Sequence, residues 1–259
     1  MKSLSLKILS TSLWKEYAEN IEANLFHKFE NLKESELSTE NFSFYVSVSA
    51  VFSSKIEGEG IDLDSFLKHK KLGVSYQPYY TRKIDDLYEA YVFAQNHSLT
   101  EKTLAEVHRH LSKNLLHTSK QGVYRSGNMF VMTADGKIEY VAPSPYVLKF
   151  ELSDFFEDLN ALLNADLSFE QSLFFASQLH LILVKIHPFE DGNGRTARLL
   201  EKWFLAEKLG EKAWFLQSEK TYYDNQNGYY AALRALGLEY ETLDYSRALP
   251  FLTLLPKSL

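Results

Sequence analysis

Apolar residues recur every third or fourth position along most of this chain, a period that commits it to helices over long stretches. Tyr17, Ile21, Leu25 and Phe29 fall four apart, which predicts an amphipathic helix over residues 14–32. A second helix is predicted over 42–56, rich in Ser and Val and stopped by Glu57-Gly58-Glu59-Gly60. The same reasoning predicts helices over 61–71, 84–95, 100–116, 148–163 and 168–186. Three more follow: from near Arg195 to Leu209, over 225–236 and over 241–254. Residues 73–80 read as a loop, with Pro78 as its breaker. The period changes once. Met129-Phe130-Val131-Met132 and Ile138-Glu139-Tyr140-Val141 are β-prone and flank Asp135-Gly136, a hairpin signal. The expected fold class is mainly α with one β-hairpin.

Composition narrows the function. The 259 residues suit one large domain, and 45% hydrophobic with 24% charged residues is ordinary for a globular chain. A formal charge of -6 gives no overall electrostatic footprint for nucleic acid. The absence of cysteine excludes disulfides, thiolate metal sites and cysteine nucleophiles. The N-terminus lacks the continuous apolar core of a signal peptide, and no run approaches the roughly 20 apolar residues of a membrane span. The expectation is a soluble cytoplasmic protein with no membrane partner.

The residues with chemistry lie at 187–198, in a turn between two helices. His187 can take a proton near neutral pH. Asp191 offers a hard oxygen to magnesium. Gly192-Asn193-Gly194 can present backbone N–H groups with little steric hindrance, and the following helix start adds the positive end of its dipole. Arg195 and Arg198 add fork-shaped donors. A base, a metal ligand and a phosphate cradle within twelve residues suit phosphoryl-type transfer. Taken singly, a histidine at a helix end, glycines in a turn and arginines on a helix are ordinary structure; their conjunction is not.

The stretch resembles the Fic-domain signature His-x-Phe-x-(Asp/Glu)-Gly-Asn-Gly-Arg-x-x-Arg, every fixed place of which is filled by His187, Phe189, Asp191, Gly192, Asn193, Gly194, Arg195 and Arg198. The resemblance implies a Fic-type helical core with a hairpin flap. It also implies transfer of AMP from Mg-ATP to Ser, Thr or Tyr of a target protein. By the same resemblance His187 is the general base, Asp191 holds Mg2+ and Phe189 anchors the loop. Gly192, Asn193 and Gly194 line the anion hole, and Arg195 and Arg198 hold the phosphates. Doc-type toxins, which are kinases, carry lysine at the second loop glycine; the retained Gly194 favours nucleotidyl transfer.

Ser53 to Gly58 resembles the inhibitory motif (Ser/Thr)-x-x-x-Glu-(Gly/Asn) of relatives restrained by their own N-terminal helix. Ser53 and Glu57 lie one helical turn apart, and Glu57 is expected to pair bidentately with Arg198 and misplace the γ-phosphate. Spacing leaves Glu59 aside. The hairpin, with Met129, Phe130, Val131 and Met132, resembles the flap that pairs with an extended stretch of target. Tyr229 and Tyr230 match a pair that borders the adenine, although Arg234 to Leu238 lacks the asparagine some relatives place there. His108, His110 and His117 read as structural or surface residues. The expected divisions are an N-terminal extension (1–40), a catalytic domain with an inhibitory helix near 42–57 (41–240) and a helical tail (241–259). Relatives often form homodimers that regulate the brake. The competing readings are an AMP-removing hydrolase using Glu57 and a non-catalytic nucleotide-binding module.

Overall fold

The computed structural model describes residues 4–39, 43–74, 77–132 and 136–259. Its centre is helix α8, Phe169–Ile186, buried nearly all round because its sequence is apolar nearly all round. Ser168 caps it reciprocally: its hydroxyl accepts from the Gln171 N–H, and the Gln171 side chain accepts from the Ser168 N–H. Helix α9 (Asn193–Leu209) packs along α8, and residues 187–192 connect the two. Around this pair lie α3 (Phe44–Ile56), α5 (Pro78–Gln95), α6 (Glu101–Leu111) and α7 (Pro145–Asn164). One apolar core includes residues from both ends of the chain, from Leu9 and Tyr17 to Phe251 and Leu255. The fold is mainly α, as the apolar period demands.

Several boundaries differ from expectation for local reasons. The helix expected over 14–32 is two, α1 (Trp14–Asn20) and α2 (Leu25–Glu30), with extended backbone at Ile21 between them. The Asn20 side chain donates to the Glu16 carbonyl at 2.8 Å, a local bond that competes with helix continuation. Tyr17, Leu25 and Phe29 are still buried, so the period reported the face correctly and missed the break. Pro78 does not break a loop; it opens α5, where its missing N–H has no helical acceptor to lose. The helix expected over 241–254 is two 3-10 turns, Tyr240–Thr242 and Tyr245–Arg247, followed by the short α12 (Leu249–Leu252). There Asp244 accepts from the Ser246 N–H, turning the chain. Helix α10 (Ser218–Asp224) had no periodic signal; it buries Glu219 against Lys202 at 2.6 Å.

Strands β1 (Phe130–Met132) and β2 (Ile138–Val141) pair antiparallel, with an irregularity between Val131 and Met132. The expected turn at Thr133 to Asp135 lies outside the described residues. The Val141 N–H donates to the Leu238 carbonyl at 2.8 Å, which ties the hairpin base to the segment after α11 (Gln226–Arg234). Among the described residues no helix is long and apolar enough to cross a membrane.

Candidate active site

Helix α8 ends at His187, whose backbone is left-handed (φ 51°, ψ 60°). A non-glycine residue holds that conformation only where its surroundings impose it. Arg125 imposes it. Its guanidinium donates to the carbonyls of His187 (2.7 Å), Pro143 (2.7 Å), Gly127 (2.8 Å) and Ile186 (3.3 Å), and its N–H donates to the Pro188 carbonyl (2.9 Å). One cation thus satisfies carbonyls at a helix C-terminus and at the foot of the hairpin. The His187 Nδ1 donates to the Val184 carbonyl at 3.1 Å, so the neutral ring keeps its Nε2 lone pair for a proton. Burial pushes the imidazole pKa down to about 4 against the Val184 bond and the nearby carboxylates, so the ring is uncharged at neutral pH.

The loop is braced from below. Phe189 is buried and stacks on His108, with ring centroids 3.6 Å apart and planes 6° apart. The His108 Nδ1 accepts from the Gly122 N–H at 2.9 Å, which leaves Nε2 as the donor to the Asp191 carbonyl at 2.9 Å. The Asn193 side chain accepts from the Phe189 N–H and donates to the Phe189 carbonyl, both at 2.9 Å. It closes the loop on itself. At Gly192 (φ 79°) a Cβ would stand 2.9 Å from Leu111, so this start of α9 requires glycine on two counts.

The turn that opens α9 faces a carboxylate. Arg198 is almost wholly buried; its Nε donates to the Ser53 hydroxyl (2.8 Å), and its Nη2 to the Ser53 carbonyl (3.1 Å) and to Glu57 Oε1 (2.6 Å). Glu57, the C-cap of α3, meets Arg198 through one carboxylate oxygen and not the bidentate pair expected, and Ser53, one turn earlier, bonds the same guanidinium. Burial acts to raise the Glu57 carboxyl, but the Arg198 guanidinium, aided by Arg195, holds it below the usual carboxylate range. Burial likewise opposes the Arg198 charge, and Glu57 outweighs it and raises that pKa. A Cβ at Gly194 would lie 2.7 Å from Glu57 Oε1 and 3.1 Å from Arg198 Nη1, so the carboxylate rests in the crook that Gly194 leaves.

Glu59, which spacing left aside, takes the other arginine. Arg195 Nη2 donates to Glu59 Oε1 at 3.1 Å, and Lys83 Nζ lies 3.4 Å from the same oxygen. Glu59 and Arg195 are both buried. Glu59 Oε2 and Arg195 Nε have no hydrogen-bond partner among the described residues. Arg195 is therefore held away from free use by a ligand.

A cavity of about 350 Å³ opens beside the loop. Glu57, Gly194 and Arg198 line it together with Val131, Met132, Lys185, Leu233 and Arg234. Of the tyrosine pair, Tyr229 is buried, with its hydroxyl shared between His180 (3.0 Å) and Arg198 (3.5 Å), so it backs the arginine. Tyr230 is less buried and donates to the Ile56 carbonyl at 3.2 Å. Phe130 and Met132 expose about half their surface, while Met129 lies at the foot of the strand, its carbonyl accepting from Ala142. Asp191 is exposed at the mouth of the loop, its Oδ1 accepting from the Gly192 N–H at 2.6 Å. Among the described residues no cluster of three His, Cys, Asp or Glu could hold a metal ion. One exposed carboxylate at the start of α9 fits magnesium that arrives with phosphate oxygens, not an ion caged by protein alone.

Arg125, His108 and Glu59 were not singled out as functional by sequence. A model of the Fic/DOC family matches residues 98–205. A protein adenylyltransferase Fic of Nematostella vectensis is 37% identical over 106 residues, which is 41% of this chain and 22% of that relative's length. A uridine 5'-monophosphate transferase of Xanthomonas campestris pv. campestris is 64% identical over 31 residues, 12% of this chain and 6% of that protein. A solved Fic family protein from Desulfovibrio desulfuricans G20 superposes with a TM-score of 0.76 at 20% identity, covering 98% of this chain and 74% of that one, which establishes a shared fold.

Proposed function

We propose that this chain, residues 98–205 of which match the Fic/DOC family, is a self-inhibited protein adenylyltransferase moving AMP from Mg-ATP to a Ser, Thr or Tyr hydroxyl of a target protein. The observation that carries this reading is the Glu57 carboxylate bound to Arg198 in the crook of Gly194, an anion occupying an anion hole in the cavity that His187 lines. In the proposed reaction the triphosphate lies along the first turn of α9, with Arg198 on a terminal phosphate. The target hydroxyl loses its proton to His187 Nε2 while its oxygen attacks the α-phosphorus. The bond to the bridging oxygen breaks and pyrophosphate leaves with the electron pair. Asp191 would hold magnesium, which neutralises phosphate charge during transfer. Arg195, paired with Glu59, acts on the phosphates only where it leaves that carboxylate.

The flap would receive the target by strand pairing along Phe130, Val131 and Met132. Tyr230 and Leu233 offer the base an apolar wall. We carry 41–240 as the catalytic domain, 1–40 as an extension and 241–259 as a tail, in a cytoplasmic protein; a homodimer would regulate the brake. A second donor nucleotide is worth testing because of the similarity to a uridine 5'-monophosphate transferase.

The test is intact mass spectrometry of Glu57→Gly, incubated separately with the magnesium salts of ATP, GTP, CTP and UTP and a cell lysate. The expected result is one added AMP on the variant or on a lysate protein, absent when His187→Ala is combined with it. Addition from UTP alone would replace adenylyl by uridylyl transfer. Binding of nucleotide without any addition would leave the non-catalytic module. Release of AMP from pre-modified target by the native chain, lost in Glu57→Gly, would favour the hydrolase.

A further inference from the structure

Lys185 is a buried amine for which neither the loop nor the brake has a use. It is 3% exposed, sits on the last turn of α8 and lines the same cavity as His187. Its Nζ lies 4.3 Å over the Tyr140 ring on β2 and donates no hydrogen bond to any described residue. The other buried lysine of this core, Lys202, is fully occupied: Ser49, the Leu216 carbonyl and Glu219 accept from it, each at 2.6 Å. The carboxylate that faces Lys185 is Glu139, and Arg234 already engages it at 2.6 Å. Burial pushes the Lys185 pKa down to about 8, with Glu139 opposing. Among the described residues no carboxylate or carbonyl accepts from the Lys185 amine, and a methionine would fill the same volume without the cost of desolvating a charge.

Position indicates what the amine serves. Lys185 stands over Tyr140 with Glu139 as its facing carboxylate, whereas Glu57 and Arg198 pair with each other beside Gly194. A cavity lined by Val131, Met132 and Leu233 offers apolar contact to a planar ring, and an amine in the same lining selects by what the ring edge presents. Resting on the nucleotide reading above, we propose that Lys185 is a specificity-determining residue that donates to a carbonyl oxygen or ring nitrogen on the edge of the nucleobase.

The test uses the full chain carrying Glu57→Gly, with and without Lys185→Met, which keeps length and apolar body but removes every donor. Calorimetry measures affinity for the magnesium salts of ATP, GTP, CTP and UTP, and for tripolyphosphate, which has no base. The preferred nucleotide should weaken roughly tenfold or more with Lys185→Met, the scale of one hydrogen bond from a charged donor. The order among the four should flatten, and tripolyphosphate should bind unchanged. Retained affinities and order would overturn the proposal. An equal loss for tripolyphosphate would also overturn it, by placing Lys185 on the phosphates. A changed KM for the protein target with unaltered nucleotide affinity would assign Lys185 to the target and refute the base contact. If Glu57→Gly alone binds neither nucleotide nor tripolyphosphate, it is the underlying nucleotide reading that fails.

Discussion

Arg125→Lys tests whether the geometry of the proposed base is imposed from outside the signature loop. The native guanidinium spreads donors over four carbonyls, three of them within 2.8 Å, and none of its partners is a carboxylate. Lysine keeps the charge but gathers its donors on one nitrogen, so it cannot span the His187, Pro143 and Gly127 carbonyls together. Two charge-assisted bonds lost at about 1.5 kcal/mol each give a destabilisation of about 3 kcal/mol. For a chain of this size that lowers the melting temperature by roughly 6–12 °C. The left-handed turn at His187 loses its clamp at the same time. A displacement of the imidazole on the order of 1 Å should reduce turnover by about a hundredfold. Calorimetry measures the first quantity. Initial rates of AMP transfer in the Glu57→Gly background, taken well below the melting temperature, measure the second. An unchanged melting temperature would refute the account of the clamp. A lowered melting temperature with undiminished turnover would refute the claim that Arg125 positions His187.

Glu59→Gln leaves Arg195 and Lys83 facing a neutral amide, and should lower stability to urea by about 1–3 kcal/mol; an unshifted midpoint would show that the buried pairing contributes nothing. The depressed pKa values of His108 and His187, each about 4 in the fold against an ordinary 6.5, mean that the unfolded chain binds protons first as pH falls. Stability should therefore be fully present above pH 6.5 and decline toward pH 4, with His108 alone accounting for about 3 kcal/mol at most. Urea midpoints across that window should slope, the slope should shrink in His108→Gln, and a flat profile would overturn the assignment.

What sequence made legible were relations between near neighbours. The turn at 187–198 packs its base, carboxylate, glycines and arginines into one contiguous run, and Ser53 with Glu57 obeys a single helical turn. The tertiary partners of those groups carry no such mark. Arg125 stands 62 residues from His187, His108 stands 83 from Asp191, and Glu59 stands 136 from Arg195. Helical period tells which face of α6 is buried, so His108 could be read as structural, but not that its ring lies under Phe189. The Asn193 side chain was equally out of reach: the signature marks its place, while the choice between lining the hole and closing the loop depends on three-dimensional closure. Misplaced boundaries have a different origin. Asn20, Asp244 and Pro78 act through local bonds and a missing donor, which an apolar period does not sense.

The two glutamates explain how a brake could release without unfolding its helix. Gly58, with φ 87°, turns the chain sharply between them. Their carboxylates then reach Arg198 and Arg195, which are neighbours on one turn of α9. The two pairs differ in solvent access: the Glu57 side chain is 31% exposed and that of Glu59 only 4%. Parting Glu59 from its cations would strand buried charges on both sides, whereas Glu57 can turn its carboxylate toward water while an entering phosphate takes its place on the buried Arg198. In the proposed mechanism, therefore, Glu59 keeps the segment after α3 fixed on α9 and α5, and an entering triphosphate displaces one carboxylate. The energy it must overcome is that of a single partly exposed ion pair, so opening should be governed by side-chain rotation and by competition for Arg198, and not by movement of α3.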